Sequence, residues 1–163
     1  MKFSPNFDKK EFEHGSDGAP VPVEALSIFT FLCTEVLEAT RSWAGVPLKI
    51  TSGYRSPAAN AAAHGQPNSE HVATVDKCAV DFYPDGRPAR EVFDWMRTNA
   101  TLPYHQLILE HGASGSSVIH VSVNREMPGV RSVLEGATHN AEPYISVDHV
   151  PYVAPGEQSA ENA

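Results

Sequence analysis

At 163 residues, 41% hydrophobic and 20% charged, the chain is long enough for one domain with a sizeable core and has an ordinary globular composition. A net charge of −8, with no run of Lys and Arg, excludes a nucleic-acid surface and an anionic-membrane surface, which both need clustered positive charge. Two cysteines, Cys33 and Cys78, exclude a disulfide framework; both lie in apolar runs and read as buried free thiols.

Residues 1–22 are polar and rich in Gly, Pro and Asp, and read as a loop with one short turn, pinned to the body by Phe3, Phe7 and Phe12. Residues 23–44 predict a helix. Val23, Leu26, Phe29, Cys33, Val36, Leu37, Thr40 and Trp43 recur at three-to-four spacing and mark its buried face, and Gly45 stands at its end. Residues 46–51 predict a strand running into Gly53, which allows a turn, and Pro57, which suits the first turn of a short helix over 58–63. A loop around Gln66-Pro67-Asn68 leads to Ser69-Glu70-His71.

Residues 77–83 predict a strand, and residues 88–99 a helix burying Val92, Trp95 and Met96. Residues 107–109 and 118–121 predict two strands joined by a Gly/Ser-rich connection, the pattern of a hairpin with a long loop. Segments 130–134 and 143–147 predict a further hairpin. The expected architecture is therefore α+β, with helices packed on a mainly antiparallel sheet. Residues 1–150 form a single domain in this reading, and 151–163, rich in Pro, Gly, Ser and Glu, a disordered tail. No apolar stretch approaches the about 20 residues that span a bilayer. The first residues lack the apolar core of a secretory signal, so the expectation is synthesis in the cytoplasm.

Of the eight histidines, four have ordinary explanations: His14 and His139 lie in polar segments and read as solvated, His149 is in the tail, and His64 precedes a helix-ending Gly, where a cation suits the dipole. His71, Asp81 and His120 differ. Asp81 lies between Val80 and Phe82, and His120 between Ile119 and Val121, so strands would carry both onto an apolar layer. A buried carboxylate needs a partner, and a metal is one. A catalytic zinc takes three N or O ligands and keeps one position open, which two His and one Asp satisfy. On the residues alone, a surface Asp and two hydrogen-bonded His fit as well.

Four motifs then come in a fixed order: Ser52-Gly53-Tyr54-Arg55-Ser56-Pro57, Ser69-x-His71, Ala79-Val80-Asp81-Phe82 and Ile119-His120-Val121-Ser122. In this order they resemble the zinc D-alanyl-D-alanine peptidases, of the wider group that holds lysostaphin-type enzymes and the hedgehog signalling domain. The short Phe-rich opening and the strand Gln106 to Glu110 resemble the small phage-type members. The resemblance covers roughly residues 3 to 145 and implies a hedgehog/DD-peptidase-like fold. It implies that His71, Asp81 and His120 bind Zn2+, that Arg55 meets a substrate carboxylate or the oxyanion, and that Ser69 and Gln106 contact substrate.

Two departures from the family pattern stand out. The usual spacing from first His to Asp is seven, through a Gly; here Asp81 follows His71 by ten, so either a longer loop is inserted or Asp76 competes as ligand. The strand-like setting of Asp81 favours Asp81. Relatives place a Glu three residues before the last His, or a His two before it; here those positions are Ser117 and Val118, neither a base. Glu110, ending the paired strand, is the substitute expected, if the strand register turns it toward His120. His105 and His111 are weaker candidates.

The resemblance implies a hydrolase: a zinc metallopeptidase cutting peptidoglycan stem peptides as a carboxypeptidase or endopeptidase. It implies a phage or prophage setting, as an endolysin or a particle-associated enzyme reaching the cell wall after release. The expected partner is the peptidoglycan peptide, with no nucleic acid and no membrane; oligomeric state is left open. The alternative is a catalytically inactive zinc-binding structural or wall-binding protein of the same fold. A third expectation is a metal-free interaction domain.

Overall fold

A computed structural model describes residues 1–13, 17–138 and 142–157. The histidines expected to be solvated at positions 14 and 139 lie outside these residues, as does the end of the expected tail from residue 158.

The fold is α+β, built on a six-stranded sheet. Its strands are β3 (Leu48–Ser52), β4 (Lys77–Pro84), β5 (Gln106–His111), β6 (Ser117–Asn124), β7 (Ser132–Ala137) and β8 (Ile145–Ser146), in spatial order β3-β4-β6-β5-β7-β8. Every pairing is antiparallel except β5 with β7, which is parallel. The expected segments 130–134 and 143–147 do pair, as β7 and β8, with both strands starting two residues later than the sequence reading.

The N-terminal arm is more ordered than the loop read from sequence. It forms a small hairpin, β1 (Lys2–Ser4) with β2 (Phe7–Asp8), followed by a 3-10 turn over Lys9–Glu13. Strands this short carry too few residues for a periodic signal. Phe3, Phe7 and Phe12 are buried; Phe3 stacks on Phe29, Phe12 meets Phe29 edge-on, and Phe7 meets Phe12 edge-on.

The long helix runs as α1 (Leu26–Leu32), a π turn (Cys33–Leu37) and α2 (Glu38–Ala44). It ends where Gly45 takes a left-handed φ of 68° and donates its N–H to the Arg41 carbonyl. Two residues expected on its buried face are exposed. Val23 sits in a 3-10 turn before the helix proper, and Trp43 stacks on Trp95 of α4 (Ala89–Thr98) with Arg87 over its ring. The short helix α3 (Pro57–Ala62) starts as its sequence requires: the Ser56 hydroxyl accepts the Ala59 N–H, and Pro57 follows the cap.

Period-two alternation divides the sheet into two faces. Cys78, Val80 and Phe82 of β4, Leu107 and Leu109 of β5, and Ile119, Val121 and Val123 of β6 join the core with α1 and α4. Asp81, Ile108, Glu110, His120, Ser122 and Asn124 fall on the opposite face. Both cysteines are fully buried, as the apolar runs around them require. Beyond β8 the chain still makes ordered contacts: Val150 N–H donates to Arg97 O and Val153 N–H to Ala100 O. Among the described residues no helix is long and apolar enough to cross a membrane.

Candidate metal centre

Register decides what the second sheet face presents. Asp81 of β4 stands directly across from His120 of β6, and His120 stands across from Ile108 of β5. Two ligand candidates 39 residues apart in sequence thus become neighbours; His120 Nδ1 lies 2.8 Å from Asp81 Oδ1.

His71 arrives from a loop laid over this face. The loop is held by Arg55 N–H donating to His71 O and by the buried Asn60, whose amide donates to Gln66 O. The imidazole Nδ1–H of His71 donates to Gly53 O at 2.7 Å, which leaves Nε2 with its lone pair turned to the cluster. His71 Nε2 lies 3.2 Å from His120 Nδ1 and 3.3 Å from Asp81 Oδ1.

The three-residue excess between His71 and Asp81 is taken up by a turn before β4, closed by Thr74 N–H donating to Lys77 O. Asp76 lies within that turn, before β4 begins, and is no part of the cluster.

These three atoms suit zinc. Ligand atoms about 2.05 Å from a tetrahedral zinc stand about 3.3 Å apart. The observed edges are 2.8, 3.2 and 3.3 Å, and the donor set is N, N and O. Burial pushes the Asp81 carboxyl up, but the imidazoles of His71 and His120 outweigh it and hold Asp81 well below the usual carboxylate range. Burial pushes His120 down, but its bond to Asp81 and that charge raise it. Asp81 is thus kept ionised, as a ligand must be. His120 differs from His71 in one respect: its Nε2 is buried and has no hydrogen-bond partner among the described residues.

The cluster lines a cavity of about 730 Å3. Arg55, Ser69, His105, Gln106 and Glu110, all proposed from sequence for the site, line the same cavity; His111 and Asp76 do not. Arg55 donates to Asp81 Oδ2 at 3.4 Å and to the Ser52 hydroxyl at 3.2 Å. The Ser69 hydroxyl accepts the His71 N–H at 3.3 Å and so shapes the turn that carries His71. Gln106 donates its backbone N–H to the Ser122 hydroxyl.

Glu110 pairs with Val118 and shares the face of His120. Burial first, then the charge of Asp81, raises its pKa. Ser117, which stands where the family resemblance places a Glu, lies elsewhere. Ser117 bonds His111 Nδ1, whose Nε2 bonds Glu135, which in turn pairs with Arg90 of α4. Positions 111 and 117 therefore belong to the helix side of the sheet, which takes His111 out of the cavity.

Four cavity residues escaped the sequence reading in whole or in part. Glu70 is buried and accepts from His105 Nδ1 at 2.9 Å and from the Asn124 amide at 2.8 Å. Burial pushes its carboxyl up, but the bonds from His105, Ser122 and Asn124 outweigh it and lower the pKa. Asn124 shares strand parity with His120, a signal that was present in the sequence. Tyr144 lines the cavity too, and nothing local in the sequence announces it.

A family model described as Peptidase M15 matches residues 4–122. No curated protein and no solved structure matches the chain.

Proposed function

This chain belongs to the peptidase M15 family, whose members are zinc-dependent, and we propose that it is a zinc metallopeptidase that hydrolyses peptide bonds in bacterial cell-wall stem peptides. The bond involves or adjoins D-alanine, as in a D-Ala-D-Ala-type carboxypeptidase or endopeptidase. The protein serves a phage or prophage, as an endolysin or a particle-borne enzyme; that setting is supported by the resemblance of the Phe-rich opening and of the strand Gln106 to Glu110 to small phage-type members. The observation that carries the reading is the triangle of His71 Nε2, Asp81 Oδ1 and His120 Nδ1, with edges near those of a tetrahedral zinc site, opening on a polar cavity.

His71, Asp81 and His120 would hold the ion. Zinc there supplies a Lewis acid that polarises a scissile carbonyl and lowers the pKa of water toward about 7. Glu110 takes a proton from the attacking water as the water oxygen bonds to the carbonyl carbon. It returns that proton to the amine nitrogen as the C–N bond breaks and its electron pair goes to nitrogen. A buried carboxyl with a raised pKa is suited to both halves of this exchange. Arg55 engages Asp81 with one end of its guanidinium fork; the remaining N–H groups bind a substrate carboxylate or the developing oxyanion.

Muropeptide release by the purified zinc-loaded protein tests the reading. Chelator should abolish release and zinc restore it. Glu110→Gln should lower turnover by roughly 10²–10⁴-fold with zinc still bound. Unchanged turnover would remove Glu110 from the mechanism.

One observation favours a second reading, a zinc-binding wall protein without catalysis: position 117 carries Ser in place of the relatives' Glu, and its side chain faces the helices. Stoichiometric zinc with no release from several wall types would establish that reading.

A further inference from the structure

Glu110 has a partner from a part of the chain that the family match does not reach. Strand β7 runs parallel to β5, and Gly136 stands directly across from Glu110. A side chain at 136 is excluded: a Cβ there would meet Tyr144 Cδ1 at 2.0 Å and Tyr144 Cε1 at 2.7 Å. The slot left by this glycine is filled by the Tyr144 ring, whose hydroxyl lies 3.4 Å from Glu110 Oε2 and borders the cavity that holds the metal cluster. Among the described residues, the phenol is the one hydrogen-bond donor to the Glu110 side chain. Gly136 and Tyr144 both lie beyond residues 4–122.

We propose that Tyr144, seated in the slot opened by Gly136, is the positioning residue for Glu110, holding its carboxylate toward the His71–Asp81–His120 cluster. The inference rests on the reading of Glu110 as the proton-transferring group. Pairing with Val118 on one side and Gly136 on the other fixes the backbone at Glu110 but leaves the side-chain torsions free. A carboxylate with free torsions would spend much of its time away from the cluster. One hydrogen bond from a rigid ring, itself wedged against a backbone, selects the productive orientation. The phenol keeps its own proton throughout, since burial and the neighbouring Glu110 push its pKa up to about 12. The arrangement explains why position 136, which lies outside the His71–Asp81–His120 cluster and the cavity lining, holds a residue without a side chain.

The test uses the full zinc-loaded protein and three variants. Tyr144→Phe keeps the ring and removes the hydroxyl; turnover should fall about tenfold, with KM changed less than about twofold and zinc content unchanged. Gly136→Ala should give a similar loss, because the new methyl expels the ring. In the Glu110→Gln background Tyr144→Phe should have no further effect, since both changes act through one group. A second readout needs no substrate: carbon NMR of the Glu110 carboxyl in metal-free protein. The charged groups facing it are Asp81, His71 and His120, and these are the same in both proteins. Loss of the phenol donor should raise the Glu110 midpoint in Tyr144→Phe. An unchanged midpoint together with unchanged turnover overturns the proposal. So does an undiminished Tyr144→Phe loss in the Glu110→Gln background, which would put the phenol on the substrate itself. Failure of the wild type to release any muropeptide would sink the functional reading alone; the carboxyl midpoint would still decide whether Tyr144 holds Glu110.

Discussion

The carbonyl oxygen of Gly53 lies 2.7 Å from His71 Nδ1, and the same glycine lies against the backbone of Phe12. One residue thus ties the N-terminal arm to the metal cluster. Gly53 was expected to serve a turn; its tertiary role is to let two backbones approach closely. A Cβ there would meet Phe12 O at 2.5 Å and Phe12 Cα at 2.6 Å, while Tyr54 N–H donates to that same Phe12 oxygen at 2.8 Å.

Gly53→Ala should therefore disturb the metal site without touching a ligand. The strand end must shift, and the acceptor that orients His71 shifts with it. Loss of such an outer partner weakens metal affinity by roughly 10–100-fold. Competition against a chromogenic chelator measures it, and an unchanged zinc Kd would refute the link.

Zinc should stabilise the fold. Free zinc at 100 times its Kd adds about 2.7 kcal/mol to the unfolding free energy. The gain should vanish in Asp81→Ala and His120→Ala, and should shrink as pH falls and the imidazoles protonate. Thermal unfolding with and without zinc is the measurement; an equal gain in the ligand variants would place the ion elsewhere.

Glu110 should trade stability for function in the metal-free protein. Its folded pKa lies above its unfolded value, so its contribution to stability is fully present below the ordinary carboxylate range and is lost as pH rises through the raised folded pKa. Glu110→Gln, which cannot ionise, should raise Tm at pH 7 and leave it nearly unchanged near pH 3. A drop in Tm at pH 7 would contradict the assignment.

The arm should be an integral part of the core. Phe12 is fully buried and meets the rings of Phe3, Phe7 and Phe29. Phe12→Ala should destabilise by about 3–5 kcal/mol. Because the Phe12 backbone also abuts Gly53, zinc affinity should fall with it. Chemical denaturation reads the first effect and chelator competition the second; a loss under 1 kcal/mol would mean that the arm packs loosely.

Much of the sheet was legible because its signals are local. Alternation in β4 and β6 places Val80 and Phe82, and Ile119 and Val121, on one face, and this alone sends Asp81 and His120 to the other. The Phe residues of the arm read correctly as anchors, although the strands that carry them did not. Trp43 read as core and is exposed, because it completes a stack with Trp95 and Arg87 that no single helix reveals.

What the sequence determined by itself was the chemistry on offer: two imidazoles and a carboxylate in strand-like or loop settings, an Arg after a glycine turn, and a carboxyl closing a strand. What only the tertiary structure decided was which of these meet. The pairing of β4 with β6 sets Asp81 beside His120, a loop 49 residues before His120 brings His71 to 3.2 Å from it, and the pairing of β5 with β6 turns Glu110 toward them and Ser117 away. The parallel pairing of β7 then seats Tyr144 beside Glu110 through a missing side chain at Gly136. Side-chain parity repeats every two residues and can be read along one strand. Register joins residues far apart in sequence, and a slip of one reverses every face, so it exists only once the sheet has formed.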